Sequence, residues 1–571
     1  MNNNRNMFLA IGLSMLVIIG WSFLLQRYAP PPPPKPAIAQ AVQMAAAEAR
    51  ATKVKDRVAA LAESPRVVIE TPTLKGSLNL KGARIDDLIL VKYAQDVAKN
   101  SPPVILYAPN GTETSALAGF GWAGQGVALP TPETLWVADS AKLTPETPLS
   151  LHWDNGAGQI FGLKITVDKS YMFTVTQSVG NKGTGAVSVA PYSYVSRNNA
   201  AIDKASVAHV GPIGSFNDRV DYDLDYTNLD GQEASFFGRM FGSTAKPGVN
   251  TFTTTGGWLG FGDKYWLSAV IPAQNAAINA EFRKDGNEYR AGYWSAPIAV
   301  AAGQTQSNVS HVFAGAKEVE VVDGYETALG IPHFGKVIDW GWFEVICKPL
   351  FWIIHKLFQL TGNFGVAIIM TTFIIRGILF PVAQMQFASM ASMRVAQPKI
   401  KALQERFKDD KLQLQQETMK LYKEEKVNPL GGCLPALMPI PVFFALYKVL
   451  SVSIEMRHQP FVLWIHDLSV PDPLLFGQFP GIAAYIPNFL AIGILPIILG
   501  ISLWLIQKAS PPPPDPAQAQ MMALMPWMMV FFFSSMAAGL QVYYIVSNTL
   551  TILQQRWFFA RHPVLKQPMV K

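Results

Sequence analysis

Long apolar runs are the feature that most limits what this chain can fold into. One of them, residues 7–25, contains 19 residues, and others of similar length follow residue 360. A helix of about 20 apolar residues is long enough to cross a bilayer core of about 30 Å. Half of the 571 residues are hydrophobic and only 15% are charged, whereas a typical soluble protein has about 25% charged residues. The sequence therefore predicts a polytopic α-helical membrane protein.

A different sequence pattern, between residues 66 and 325, predicts a large domain outside the membrane. Short apolar runs such as residues 163–167 and 171–176 alternate with polar positions and are broken by Gly, Pro, Asn and Asp. Alternation with a period of two, interrupted by turn residues, is typical of β-strands in a sandwich. We expect a large periplasmic β-sandwich that buries its own core.

The apolar runs predict six membrane spans. They cover residues 7–25, 364–382, 433–450, about 485–506, and 521–555. As one helix, the last run would measure about 52 Å at ~1.5 Å per residue, so we divide it near residues 534–539. The loop at residues 383–428 carries nine Lys and Arg, whereas the loop at 451–484 has only Arg457. Six spans place the basic loop and both termini on the cytoplasmic side, in agreement with the positive-inside rule.

The remaining segments complete the predicted domain plan. Residues 1–27 form a signal-anchor span, because their apolar run exceeds the roughly 7–15 residues of most cleavable signals. Residues 28–65 form a Pro/Ala-rich linker, and residues 326–361 form an amphipathic helix in the membrane interface. A helix packed on the sandwich is the alternative for the latter. Residues 362–557 form a five-helix core, and residues 558–571 form a basic cytoplasmic tail.

Arg376 is the residue that says most about function. It lies about two thirds of the way along the second predicted span. A central arginine costs about 2.5–3.5 kcal/mol on insertion scales, so it usually faces a bundle interior or a wet cavity. Thr372 precedes it by four residues and shares its helix face, and Thr371 adjoins Thr372. Snorkelling towards the cytoplasmic end, about 9 Å away, is the alternative.

The loop at residues 383–428 predicts a cytoplasmic helical hairpin. Apolar residues from Met393 to Phe407 recur at alternating spacings of three and four, which is typical of a coiled-coil seam, and Asp409 with Asp410 interrupts it. The outer faces carry Lys399, Lys401, Arg406, Lys408 and Lys420. An ordinary solvated hairpin explains these charges, although its position at the mouth of a cavity favours a docking role.

Two later spans contain residues that are unusual in lipid. The third span has three prolines, of which Pro439 is the middle one, and they predict a bent helix beside a cavity. The sixth span contains Tyr543, Tyr544, Ser547 and Asn548. Asn548 is able to hydrogen-bond across helices, so simple interhelical packing explains it as well as a groove does.

Signatures of other protein classes are lacking in the sequence. Neither HExxH nor GxSxG occurs and the eight histidines are dispersed, so we expect no enzyme activity, no metal and no cofactor. The net charge of +7 does not indicate nucleic-acid binding, because the basic residues lie at the ends of apolar runs. Cys347 and Cys433 fall on opposite predicted sides of the membrane, so we expect no disulfide between them.

Several stretches resemble the YidC/Oxa/Alb family of membrane protein insertases. They are residues 372–377 (TFIIRG), 397–400 (QPKI), 426–433 (KVNPLGGC), 539–548 (GLQVYYIVSN) and, in the outer loop, 463–469 (LWIHDLS). The match is colinear and dense from about residue 335 to residue 560. The large domain that precedes it is typical of the Gram-negative form of the family.

The resemblance implies an inner-membrane insertase and chaperone for nascent membrane proteins. Family members have a hydrophilic groove that is open to the cytoplasm and to lipid, with an arginine at the position of Arg376 and a threonine at that of Thr372. Client segments leave along the third and fifth spans, the hairpin receives clients from the ribosome, and the Sec translocon is a further partner. Pro439, Ala537 and the prolines at 511–514 depart from the family pattern.

Two other functions fit parts of the sequence. A secondary transporter would use Arg376 to bind an anionic solute, but transporters usually show paired internal repeats, and we find none. A membrane-anchored carbohydrate-binding module would place the function in the sandwich. Deletion of that domain separates this reading from the insertase, which would keep substantial function without it.

Overall fold

The computed structural model describes residues 55–198, 208–230, 249–408, 410–424, 439–474, 492–510 and 516–561. Predictions for the signal-anchor span, most of the linker, Asp409, Cys433, the prolines at 511–514 and the end of the tail lie outside these ranges. Within them, a β-rich domain is followed by a set of helices.

The β-rich domain begins at Arg66 and its last strand ends at Ala316. In chain order the strands are β1 (Arg66–Glu70), β2 (Leu74–Asn79), β3 (Arg84–Ala94), β4 (Pro103–Tyr107), β5 (Ala116–Gly124), β6 (Val137–Ala138), β7 (Lys142–Leu143), β8 (Leu149–Asp154), β9 (Gln159–Val167), β10 (Met172–Asn181), β11 (Val187–Arg197), β12 (Gly211–Phe216), β13 (Arg219–Asp221), β14 (Val249–Thr255), β15 (Trp258–Gly262), β16 (Trp266–Ile271), β17 (Ala277–Asp285), β18 (Glu288–Ser295), β19 (Ile298–Val300) and β20 (Thr305–Ala316).

These strands form two sheets. In the described chain, the first has the order β14-β17-β18-β11-β5-β3-β2-β1-β7, with β4 beside β3 and β19 beside β11. The second has the order β13-β12-β15-β16-β20-β10-β9-β8-β6. Apolar side chains from both sheets form one buried core, as in the contact of Trp122 with Phe161 at a ring distance of 5.1 Å. The predicted β-rich domain is therefore present, with two sheets packed face to face.

The helices make up the rest of the described chain. They are α1 (Arg57–Leu61), α2 (Tyr226–Leu229), α3 (Val319–Leu329), α4 (Glu344–Thr361), α5 (Phe364–Ile378), α6 (Phe380–Arg406), α7 (Lys411–Glu424), α8 (Pro439–Val452), α9 (Ile494–Ala509), α10 (Pro516–Ser534) and α11 (Ala538–Arg561). α5 packs on α4 and α11, α8 packs on α4, and α9 packs on α10 and α11. The break between α10 and α11 falls where the sequence analysis divided the apolar run.

The second predicted span is bent. α5 ends at Ile378, and α6 starts at Phe380 with a change of direction of 63°. Pro381, in the first turn of α6, has no N–H to donate back to α5, and its ring crowds the carbonyl four residues earlier, so a continuous helix is disfavoured. The bend thus comes before residue 382, the predicted end of the span, and α6 runs on into the predicted hairpin.

Among the helices of the described ranges, none is by itself both long and apolar enough to cross a membrane. The bent pair Phe364–Ile378 and Phe380–Met393 has the required length and composition when taken together. Shorter apolar helices cover Ile440–Val452, Ile494–Ala509 and Ala519–Ser534.

The helical part exposes large apolar side chains on several helices. They include Phe373 and Ile378 of α5, Ile440 and Phe444 of α8, Ile501 and Trp504 of α9, and Leu524, Trp527 and Phe531 of α10. Extended apolar surface of this kind marks contact with a membrane or a partner rather than with water.

Candidate functional site

Arg376 lies near the C-terminal end of α5, which begins with a side-chain cap. The Asn363 side chain accepts a hydrogen bond from the N–H of Val366, which satisfies one of the free donors of the first turn. The Arg376 side chain is half-buried and donates to Ser547 Oγ of α11, from Nε at 3.0 Å and from Nη2 at 2.5 Å. The half-buried arginine is thus held by a neutral hydroxyl on a neighbouring helix.

Aromatic side chains surround this contact. The phenol groups of Tyr543 and Tyr544, one turn before Ser547, lie within electrostatic range of the guanidinium. The Tyr544 ring contacts Phe443 of α8 and Phe533 of α10 at ring distances of 5.4 and 4.8 Å. The structure therefore brings together Arg376, Tyr543 and Tyr544, three of the predicted site residues, and joins them to α8 and α10.

Asn548 has a different partner. Its Nδ2 donates to Ser502 Oγ of α9 at 2.8 Å, and both side chains are buried. The interhelical hydrogen bond considered for Asn548 is therefore present, and it links α11 to α9. Its placement in a substrate groove stays a prediction.

The two predicted threonines are satisfied within their own helix. Thr371 Oγ1 donates to the carbonyl of Ala367 at 2.8 Å, and Thr372 Oγ1 donates to that of Ile368 at 2.7 Å. Both residues are buried. Their hydroxyls back-bond to α5 instead of pairing with Arg376, as is common for threonine inside helices.

The predicted hairpin is formed by α6 and α7. Ala396 and Ile400 are buried between the two helices and pack against Met393, Leu421 and Tyr422, most of which belong to the predicted apolar seam. The exposed residues of the hairpin include all five predicted basic positions: Lys399, Lys401, Arg406, Lys408 and Lys420. The hairpin therefore presents a positively charged outer surface.

The loop after α8 binds the first residues of α9 and α11. Asp472 accepts hydrogen bonds from Trp464 Nε1 at 2.9 Å and from the N–H of Leu495, in the first turn of α9, at 2.7 Å. The N–H groups of Ala538 and Gly539, at the start of α11, donate to carbonyls of the same loop. This loop contains one of the motifs of the sequence, but the hydrogen bond by which Asp472 holds it to α9 was not predicted.

A buried glutamine fixes the turn between α10 and α11. Gln541 is fully buried, and its Nε2 donates to the carbonyls of Phe533 and Met536 at 2.9 and 2.8 Å. These two hydrogen bonds satisfy one carbonyl in the last turn of α10 and one in the turn that follows it. An uncharged polar residue within an apolar run is the sequence signal for this contact, but the role of Gln541 was not predicted.

Charged residues that were not predicted lie where the helical part meets the β-rich domain and the segment that follows its last strand. Lys448 of α8 donates to Asp339 Oδ2 at 3.0 Å. The N–H of Val319, the first residue of α3, donates to Glu455 Oε1 at 2.7 Å. Glu455 is half-buried beside Glu318, and this burial raises its pKa from 4.5 to about 7.

Arg457 makes a further contact across the same junction. Its two terminal nitrogens donate to the carbonyls of Ala94 and Gln95 at 2.8 Å each, at the end of β3. The guanidinium also lies over Tyr265 and Trp266, at 5.8 and 5.5 Å from the ring centres. We call Lys448, Glu455 and Arg457, with their partners, the domain joint.

Comparisons with known proteins agree over nearly the whole chain. The family described as 60Kd inner membrane protein matches residues 356–564, and that described as YidC periplasmic domain matches residues 66–353. The membrane protein insertase YidC of Zymomonas mobilis is 45% identical over 572 residues, which covers 98% of this chain and 96% of that protein. The one from Rhizobium etli is 42% identical, with 99% and 96% covered.

A solved structure is also similar. A crystal structure of an active YidC insertase, with its first transmembrane domain resolved, aligns with 88% of this chain and 93% of its own, at a TM-score of 0.36 and 16% identity. The family assignment rests on the sequence matches.

Proposed function

The chain belongs to the YidC family of membrane protein insertases, and from this premise we propose that Arg376 is the residue that receives the polar part of a client. The relatives of the chain are inner-membrane insertases with a periplasmic domain. This chain is such an insertase and not an enzyme. The relatives do not favour the transporter or the carbohydrate-binding module.

One observation carries the proposal for Arg376. Its partner, Ser547, is neutral, so this contact does not offset the positive charge of the guanidinium. A positive charge that is partly shielded from water attracts a carboxylate more strongly than one in bulk water does. An acidic residue in the translocated segment of a client is therefore drawn into the helical part, in a groove bounded by α5 and α11.

We further propose that the apolar segment of the client leaves along α8 and α10. Both helices reach the Arg376 site through Phe443 and Phe533, and both expose apolar side chains on their other faces. Transfer of the segment into lipid gains about 0.8 kcal/mol per buried CH₂ group, so no nucleotide is needed to drive release.

The topology and partners of the insertase complete the proposal. The six predicted spans place both termini and the α6–α7 hairpin in the cytoplasm, and the basic surface of the hairpin suits a ribosome that delivers nascent clients. The Sec translocon is a further proposed partner. α4 exposes Val345, Trp352 and Leu360 on the face opposite α5 and α8, which suits a helix in the membrane interface.

The experiment reconstitutes the full chain in liposomes with a single-span client that has acidic residues in its translocated tail. Protease-protected insertion is compared for wild type and Arg376→Ala. We expect insertion to fall about tenfold or more, because hydrogen bonds between charged groups are worth about 1.5–3 kcal/mol.

Phe373→Ala is the matched control. Phe373 lies on the same helix less than one turn away, and its side chain is 55% exposed, so the substitution changes the helix surface without touching the charge. Phe373→Ala should insert nearly as well as wild type. Equal insertion by Arg376→Ala and wild type would show that the charge of Arg376 is not used.

A further inference from the structure

A cavity of about 440 Å³ lies in the β-rich domain beside the domain joint. Its lining comes from β4, from the ends of β5 and β11, from β15 and β16, and from Arg457. This volume is within the range of about 300–1,000 Å³ that is usual for ligand sites. The cavity shares no residue with the contacts of Arg376, and the family assignment gives it no role.

One wall of the cavity is the edge of a strand. β4 pairs with β3 along one side. On its other side, the nearest bridge within the described part of the chain joins Ala108 to Ala116, just beyond the strand. Residues 104–107 of β4 line the cavity. The backbone groups along such an edge are a template for a further extended chain, and side chains in neighbouring pockets then give selectivity.

The side chains of the lining suit a segment with apolar and acidic residues. Val104 and Leu106 are half-buried and pack on the sandwich core, so they offer apolar contact. Arg197 and Asp263 form an ion pair at 3.0 Å, so their charges offset each other. Arg457 adds a further positive charge to the lining, which favours a ligand that carries a carboxylate.

The position of Arg457 indicates which segment of a client reaches the cavity. It belongs to the loop that follows α8, and that loop binds the first residues of α9 and α11. α8 is one of the two helices along which we propose that clients leave. A segment that has crossed to the outer side therefore emerges next to the cavity.

We propose that the cavity bounded by β4, Arg197, Asp263 and Arg457, here called the β4 cleft, binds the translocated tail of a client as an added β-strand. This inference rests on the proposed insertase function and names where the translocated end is received. Five residues of extended chain span about 17 Å, the length of β4. Alternate side chains of the tail would face Val104 and Leu106, with a carboxylate near Arg457.

Photocross-linking in the full-length protein tests the β4 cleft. The photoreactive residue p-benzoylphenylalanine replaces Ile105 in the centre of β4 or, as a matched control, Val309 on β20. The two side chains are 41% and 42% exposed, and both lie on strands. Membrane vesicles with either variant receive a client with an acidic, strand-forming tail, and insertion is scored in parallel. We expect several-fold more adduct with the client tail from position 105 than from position 309.

A second client separates strand pairing from general proximity. Its tail has the same charges but a proline at every second position, so it lacks the N–H groups that pair with β4. The adduct at position 105 should fall to the level of position 309 while insertion continues. Insertion without enrichment at position 105, equal adducts from both tails, or an adduct only within the chain itself would overturn the inference and leave the insertase function standing. A loss of insertion in wild type would overturn both.

Discussion

At the scale of single residues, the contact of Arg376 with Ser547 orients an arginine among apolar helices without offsetting its charge. Two of its N–H groups donate to one neutral hydroxyl, and a guanidinium has five donors in all. A carboxylate partner would have offset the positive charge. Serine orients the guanidinium and leaves its remaining N–H groups for a client. Ser547 is therefore a positioning residue for Arg376.

This role predicts the behaviour of Ser547→Ala. The variant keeps the charge but loses the contact that orients it, so insertion of clients with acidic tails should fall about two- to tenfold, which corresponds to a hydrogen bond of about 0.5–1.5 kcal/mol. The effect should be smaller than that of Arg376→Ala.

The double variant Ser547→Ala with Arg376→Ala provides the check, in the same liposome assay. Once the charge has been removed, its orientation no longer matters, so the second substitution should add nothing. Equal losses from Ser547→Ala in the presence and absence of Arg376 would mean that Ser547 acts only on packing. Thr549→Ala, at an exposed position on the same helix, is the control.

The sequence could indicate polar residues in apolar runs but not their partners. Arg376 and Ser547 both stood out, yet they are 171 residues apart, and only the packing of α5 on α11 brings them together. Thr372 was predicted to share the face of Arg376, but a short hydroxyl reaches its own i−4 carbonyl first. Glu455 gave little signal, because its role depends on a helix from another domain.

At the scale of elements, the sequence predicted helices and strands better than their neighbours. The break between α10 and α11 followed from length alone, and the hairpin seam followed from spacing. The sheet order did not follow, because β11 lies between β5 and β18, which are far from it in sequence. The bend after Ile378 depends on Pro381, whose effect is local and was therefore predictable in principle.

Glu455 shows how two elements from different domains depend on each other. α3 begins at Val319, and the residue at its N-cap, Glu318, makes no side-chain cap. The carboxylate of Glu318 instead accepts hydrogen bonds from the hydroxyl groups of Tyr93 and Tyr171. Glu455 supplies the missing cap from the loop after α8, so the start of α3 is stable only while the domain joint is closed.

This arrangement predicts a pH-dependent joint. Burial raises the pKa of Glu455 from 4.5 to about 7, and the nearby carboxylates of Glu318 and Glu320 act in the same direction. At a pH between these two pKa values, Glu455 is protonated when the joint is closed and ionised when the joint opens and exposes it to water. Closure should therefore weaken as pH rises from 4.5 to 7, by at most about tenfold per pH unit, and then level off.

Hydrogen exchange of the first amides of α3, corrected for the intrinsic rate, measures this closure. Glu455→Gln has no titrating group at the cap, so its corrected exchange should not vary with pH in this range. Glu320→Gln, at an exposed position, should keep most of the variation. A wild-type profile that is flat, or one that rises in the opposite sense, would contradict the assignment to Glu455.

At the scale of the whole molecule, the described chain has a β-rich part and a helical part, which share a continuous apolar core and meet at the domain joint. The contacts of Arg376 involve α5, α8, α10 and α11, and none of the hydrogen bonds described for this site reaches the β-rich domain. The domain joint uses Lys448, Glu455 and Arg457, which lie at the outer end of the helical part. The pattern of apolar residues predicted the two parts. The roles of the charged residues in the domain joint were not predictable, because their partners are distant in sequence.

Because the contacts of Arg376 lie within the helices, we predict that the helical part inserts clients without the β-rich domain. Deletion of residues 66–316 leaves α3 to α11 and every described contact of Arg376, so a client with a short translocated tail should keep most of its insertion in liposomes. Clients with long acidic tails should lose more, because the β4 cleft is removed with the domain. Arg457 loses its partners Ala94 and Gln95, so the melting temperature of the helical part should fall relative to the full chain. If the short-tailed client also failed to insert while the deleted protein remained folded by circular dichroism, the β-rich domain would have to act on the Arg376 site itself.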